Sequence, residues 1–300
     1  MKHENYFLRP EIAELVSAQL APGLESRLFR TFLSPGLDPF ETMDRDEDLL
    51  AAAREGRLGA VEWLFRAMKK VPKPGDAQLF QRVCAEAASG GRIDVLRVLR
   101  ENGCPWDEST CINAAENGHL ECLQWARHNG CPWDEDTCSN AAEMGHLECL
   151  KWARENGCPW DAWTCACAAG NGHLYCLMWA RQNGCPWDEQ GGASNVCASA
   201  ALGGHLECLQ WARQNDCPWD ERTCAWAALK GNLHCLQWAR QNGCPWGVLT
   251  CACAALGGHL EVLQWARQND CPWDERTCAW AALKCNLHCL QWARDNGCPF

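Results

Sequence analysis

The chain has 300 residues and a formal net charge of −11. That acidic balance argues against a phosphate-neutralising nucleic-acid face and against an anionic membrane surface. No apolar run approaches the roughly 18 residues that a bilayer span needs. The mixed, charged start MKHENYFLRPEIAEL is no secretory signal. An intracellular setting, cytoplasmic or nuclear, is therefore expected, with reduced thiols.

Residues 1–47 stand apart from the rest of the chain. Pro10-Glu11 starts a helical pattern, EIAELVSAQL; Pro22-Gly23 breaks it, and LESRLFRTFL resumes it. This segment is expected to be a helical cap. From residue 48 to 300 the chain is a repeat array. Two degenerate units come first, AAREGRLGAVEWL from Ala52 and AASGGRIDVLRVL from Ala87, with Cys84 just ahead of the second. Seven regular units succeed them. Cys-Pro-Trp begins at Cys104, Cys131, Cys158, Cys185, Cys217, Cys244 and Cys271, and Cys298-Pro299-Phe300 is an eighth copy. The spacing is 27 residues except for one interval of 32, which holds the Gly-rich insertion QGGASN. Insertions of this kind map to loops on one face of a repeat stack.

The unit from Cys104 to Gly130 serves for all. Asp107 is an N-cap, and Glu108 places an acid in the first turn, where the helix dipole favours it. Cys111, Ala114 and Ala115 recur at helical spacing and are small enough for a neighbouring helix to approach. Gly118 breaks the chain at positive φ. A second helix carries Leu120, Cys122, Leu123, Trp125 and Ala126 on its inner side, with Arg127 in its last turn. Asn129-Gly130 ends it, and Pro132 comes just beyond. Each unit is thus a helical hairpin with a Cys-Pro-Trp-Asp connection. Neither helix is long enough to stand alone, so stacking must bury a shared core.

Cysteine is abundant, 25 residues in all, and periodic. Equivalent cysteines of adjacent units lie one helix-packing distance apart, about 8–10 Å. A disulfide needs Cα atoms within roughly 7 Å. The thiols are therefore expected to act as small apolar core fillers.

The run TCINAAENGHLECL, from Thr110 to Leu123, resembles the ankyrin repeat. The AAxxGHLE portion recurs at Gly118-His119, Gly145-His146, Gly172-His173, Gly204-His205 and Gly258-His259. The resemblance runs from about Ala52 onward. It implies an all-α, ankyrin-like helical-hairpin solenoid that binds another protein by its concave side and its fingertips. Two departures stand out. The family's Pro-Leu-His is missing, and the period is 27 rather than about 33. The missing residues shorten the inter-repeat loops that would form the fingertips. The opening Pro-Glu and apolar helix of residues 1–47 also resemble the start of an F-box, which would imply a substrate adaptor of a ubiquitin ligase.

Comparing the units with one another locates a candidate binding face. Leu-Gln-Trp-Ala-Arg of the second helix hardly changes, whereas first-helix positions spaced by four do. The candidate partner-binding residues on this stripe are Asn113, Asn117, Asn140, Met144, Trp163, Asn171, Arg222, Trp226, Lys230, Arg276, Trp280 and Lys284. Asn195 lies on it as well. Trp and Arg are typical of binding hot spots. The rival reading is drift on a solvated face. Trp125 is expected in the core and Trp226 on the surface.

No phosphate loop, nucleophile elbow or HExxH motif occurs, so no enzyme and no cofactor are expected. His119 and Cys122 form a recurring H-x-x-C, but zinc wants four close ligands. No metal site is expected, although a metal- or redox-responsive role for the thiols is a further alternative. Residues 217–243 return almost unchanged from Cys271, with Gly231 replaced by Cys285 and Gln241 by Asp295. Cys285 stands where a positive-φ glycine is expected, and no polar capping helix comes after it. The last unit is therefore expected to be the least stable. It leaves apolar columns including Leu290 and Trp292 facing outward, where another subunit could cover them; otherwise a monomer is expected. A truncated copy of a longer array would look the same.

Overall fold

The computed structural model describes residues 45–67, 77–188 and 195–299, leaving aside the side chains of 45 and 63–67. The cap and F-box readings rest on residues that lie outside these, apart from 45–47, and most of the Gly-rich insertion does too. The chain divides into two compact units, Met1–Thr137 and Cys138–Phe300.

In the first unit the helices form hairpins: α1 (Arg45–Glu55) with α2 (Leu58–Ala67), α3 (Ala77–Ser89) with α4 (Ile93–Glu101), and α5 (Glu108–Glu116) with α6 (Leu120–His128). The second unit begins inside α7 (Glu135–Glu143), which is followed by α8 (Leu147–Glu155). Its further hairpins are α9 (Ala162–Gly170) with α10 (Leu174–Gln182), α11 (Val196–Gly203) with α12 (Leu206–Gln214), and α13 (Glu221–Leu229) with α14 (Leu233–Gln241). Then come α15 (Val248–Gly257) with α16 (Leu260–Gln268), and α17 (Glu275–Leu283) with α18 (Leu287–Asp295). The all-α helical-hairpin repeat expected from the sequence is the fold.

Local chemistry explains the hairpins. Asp107, Asp161, Asp220 and Asp274 cap first helices, each accepting the backbone N–H two residues on. The turns between helices sit at positive φ, as at Gly118 (φ 73°). Within each unit the first helices pack closely along the stack, α1 on α3 on α5 in the first and α9 through α17 in the second. Their contact residues are alanines and cysteines, fully buried at Ala114, Ala115, Ala227 and Ala228. The second helices contribute one leucine per hairpin to the floor of the core: Leu123, Leu150, Leu177, Leu209, Leu236 and Leu263, all fully buried.

Tryptophan departs from expectation. Trp125 and its equivalents are half-buried rather than core. A ring that large does not fit between helices held apart only by Ala and Cys, so it stands at the margin of the core. There it meets the Trp of its own hairpin's connection edge-on, as Trp106 meets Trp125, with centroids 6.1 Å apart and planes at 74°. The same T-shaped pair recurs at Trp160–Trp179, Trp219–Trp238 and Trp246–Trp265. Its favourable quadrupole geometry adds stability beyond area burial. From α4 to α16 the last-turn Arg of the second helix then covers the next connection Trp, for example Arg127 at 4.3 Å from the Trp133 ring centre. The same guanidinium donates from Nη1 to the Cys131 carbonyl at 3.0 Å. Trp187 is the most buried of the connection rings, and its Nε1 donates to the Asn215 carbonyl at 3.2 Å.

Histidine joins hairpin to hairpin. In the first unit the His119 ring lies over the Gly91 turn, where a Cβ would come within 2.8 Å of Nδ1, and Nε2 lies 3.0 Å from the Ser89 carbonyl. In the second unit His173 rests on Gly145, His205 on Gly172 and His259 on Gly231 in the same way. Where Asn232 and Asn286 replace this histidine, their amides donate to two carbonyls of the preceding hairpin at 2.9–3.0 Å. His234 and His288, two residues on, lie 3.3 and 3.1 Å from the Gly204 and Gly258 carbonyls.

Candidate functional site

The first-helix stripe is not uniform. In the first unit, Asn113 is half-buried and donates to the Ala85 carbonyl at 3.2 Å. Asn117 is the C-cap of α5; its amide donates to the Asn113 carbonyl at 2.9 Å and to Ser89 Oγ at 3.2 Å. Both side chains therefore spend amide hydrogen bonds on the stack itself, Asn113 half-buried and Asn117 at the surface.

In the second unit, Asn140 is half-buried, and Met144 is exposed by 49% and Trp163 by 43%. Asn171 caps α9, its amide donating to the Cys167 carbonyl at 3.1 Å. Asn195 is buried and accepts from the Ala198 N–H at 2.9 Å, so it is a helix cap and not a surface position. Arg222 and Trp226 lie on α13 with Lys230 as its C-cap, all at four-residue spacing, and Arg276, Trp280 and Lys284 repeat them on α17. Each arginine is held by the N-cap carboxylate of its own helix, Arg222 by Asp220 at 2.8 Å and Arg276 by Asp274 at 2.7 Å. The hydrogen bond from Arg276 holds the Asp274 carboxyl below its ordinary range. Lys230 and Lys284 are exposed.

Trp226 and Trp280 are half-buried, as Trp125 is, so the expected contrast in exposure is absent. The difference lies in partners. Trp125 and its equivalents are engaged by a connection Trp, whereas Trp163, Trp226 and Trp280 have no ring or cation–π partner among the described residues.

The expected outward columns of the last hairpin are also corrected. Leu290 and Trp292 are half-buried against the core, and the exposed apolar residues are Leu283 and Leu287, at 72% and 69%. These two belong to the turn region, where a helical-period reading of α18 does not look.

The thiols are free and, with two exceptions, buried; Cys253 is half-buried and Cys285 exposed. Burial pushes Cys122 up to about 12, and Cys149, Cys176, Cys208 and Cys235 up to about 11. They are neutral side chains at physiological pH. Sequence reasoning missed one arrangement. The first-helix cysteine and the connection cysteine twenty residues later lie side by side within one hairpin, as do Cys224 and Cys244, and the Cys244 thiol donates to the Asp220 carbonyl at 3.4 Å. The constant separation was the available signal, since it holds even across the insertion, at Cys197 and Cys217.

No family model matches this chain, and no curated protein does. Among solved structures it is similar to the ankyrin repeat domain of human ASB11, with 18% identity and a TM-score of 0.46 over 54% of this chain and 84% of that one. The fold rests on the hairpins themselves. Among the described residues no helix is long and apolar enough to cross a membrane.

Proposed function

We propose that this protein is a non-enzymatic interaction module that binds another protein through the first-helix stripe of its second unit. The observation that carries this reading is the set of half-buried or exposed rings at Trp163, Trp226 and Trp280, which no other ring among the described residues engages. They share the stripe with Met144 and with the cations Lys230 and Lys284. Trp, Met and Arg are enriched in protein interfaces because they bring large contact area and polar anchoring together. Asn113, Asn117 and Asn171 contribute less, since their amides already serve the helices.

The test is affinity capture from cell extract by the full chain and by Trp163→Ala/Trp226→Ala/Trp280→Ala, with circular dichroism confirming equal helix content. Proteins retained by the parent and lost by the triple variant support the reading. If both forms retain the same proteins, or if Trp211→Ala on the second helix loses them equally, the stripe is not the binding face.

A further inference from the structure

Eight times in the chain a first-helix cysteine precedes a connection cysteine by twenty residues, from Cys84 and Cys104 to Cys278 and Cys298. In the second unit the two side chains of each such pair lie side by side: Cys138–Cys158, Cys165–Cys185, Cys197–Cys217, Cys224–Cys244, Cys251–Cys271 and Cys278–Cys298, and the Cys298 thiol donates to the Asp274 carbonyl at 3.4 Å. The backbone agrees with this closeness. Cys197 Sγ is 3.9 Å from the Cys217 carbonyl oxygen, and Cys251 Sγ is 4.0 Å from that of Cys271. Beside these pairs lie buried threonine hydroxyls with no hydrogen-bond partner of ordinary geometry, among them Thr164, Thr223, Thr250 and Thr277. The last of these favours the thiolate of Cys298. Adjacent sulfurs must still close to the roughly 2.05 Å of a disulfide, with their Cα atoms within roughly 7 Å.

Access separates the pairs. Cys165, Cys185, Cys224, Cys244, Cys251 and Cys271 are fully buried, whereas Cys278 and Cys298 are 3% and 6% exposed. The final pair shares its small core with Ala293, and Trp273 and Leu290 pack against it. Its hairpin is also the one with exposed Leu283 and Leu287 and with Cys285 at φ 56°, features that lower the cost of local opening.

We propose that Cys278 and Cys298 are an oxidisable dithiol that reacts with small organic disulfides and closes as a disulfide within the last hairpin. The steps balance without another reagent. Cys298 loses its proton to solvent and attacks one sulfur of the small disulfide, whose other half leaves as a thiolate and takes up a proton. The Cys278 sulfur then gives up its proton and attacks the Cys298 sulfur of the mixed disulfide, expelling the second half as a thiol. Two protein thiols are oxidised and one small disulfide is reduced to two thiols. Burial pushes Cys298 up to about 12, so exchange is slow at neutral pH and accelerates about tenfold per pH unit below that value.

The experiment uses the full native chain carrying Cys285→Ser, which removes the exposed thiol that could link two chains. It is incubated with oxidised glutathione, quenched with acid, alkylated, digested without reductant and read by mass spectrometry. The expected result is a Cys278–Cys298 linked peptide lighter by two hydrogens, formed before any of the other seven pairs. Adding Cys278→Ala should leave Cys298 carrying glutathione. Recovery of both cysteines alkylated, or linkage of either to a different cysteine, overturns the proposal. The linked peptide in the chain that keeps Cys278 decides the matter whether or not Cys278→Ala folds.

Discussion

The turn between the paired helices gives a comparison that the near-duplication sets up: Gly231 in one copy and Cys285 in the other. Gly231 has φ 77°, and a Cβ there would lie 2.6 Å from His259 Nδ1 and 2.8 Å from Cε1. Gly231→Ala therefore meets two costs. Left-handed backbone with a Cβ costs roughly 1–2 kcal/mol, and displacing a seated ring adds on the order of 1 kcal/mol. A loss of about 2–3 kcal/mol is expected. Cys285 already bears the first cost at φ 56°. Cys285→Gly should return it, less roughly 0.5–1 kcal/mol for the entropy of glycine in the unfolded chain. The net gain is about 0.5–1 kcal/mol, confined to the last hairpin. Urea denaturation measures the first change. Hydrogen exchange over residues 287–295 measures the second as a roughly two- to fivefold slowing of local opening. If Gly231→Ala costs less than about 0.5 kcal/mol, or Cys285→Gly leaves exchange unchanged, the assignment of strain to these turns is wrong.

The packing leads to three further outcomes. Trp125→Ala should cost about 2–3 kcal/mol in urea denaturation, below the loss for a fully buried Trp, because the ring is half-buried and its edge contact to Trp106 is what disappears; a cost under about 1 kcal/mol would deny it a structural role. Arg181→Gln removes the cation over Trp187, 4.6 Å from the ring centre, and the Nη1 donation to the Cys185 carbonyl at 3.0 Å. About 1–2 kcal/mol should go, and if the loss disappears in high salt, surface charge rather than these contacts is responsible. Finally, Cys149, Cys176, Cys208 and Cys235 are raised from 9.0 to about 11. A folded value above the unfolded one means the neutral thiol stabilises the fold, fully below 9.0 and decreasingly as pH rises toward 11. The urea midpoint should fall across that window under reductant, and a flat profile would show the thiols to be solvated.

What the sequence made legible was local. N-cap aspartates, turn glycines and Cys-Pro-Trp connections act over three or four residues, so their roles could be read from one unit. Depth was not legible. Trp125 shares the helical period of Leu123 and Ala126, and periodicity gives direction from the axis without saying how far inside a ring fits. Contacts between chain segments were not legible either. His119 looked like half of a ligand pair, and only the neighbouring hairpin shows that it closes over Gly91. On the candidate site, variation between units picked out the stripe as a candidate but could not tell Asn117, whose amide holds a helix end, from Lys230, whose exposed side chain holds none.

That last distinction explains why variation between units gathers where it does. On a second helix the recurring Leu, Trp and Arg each have an obligation: Leu236 fills the core, Trp238 meets Trp219, and Arg240 covers Trp246. Changing one disturbs its own hairpin and the next connection. On the first-helix stripe the same test divides the residues. Asn113, Asn117, Asn171 and Asn195 carry hydrogen bonds that the stack uses. Met144, Trp163, Lys230 and Lys284 project without such duties among the described residues. A substitution at these four alters what the protein presents to a partner while leaving its packing intact, which is the physical condition for a surface whose specificity can change without loss of the fold. On the reading proposed above, contact with a partner falls on these positions of the second unit.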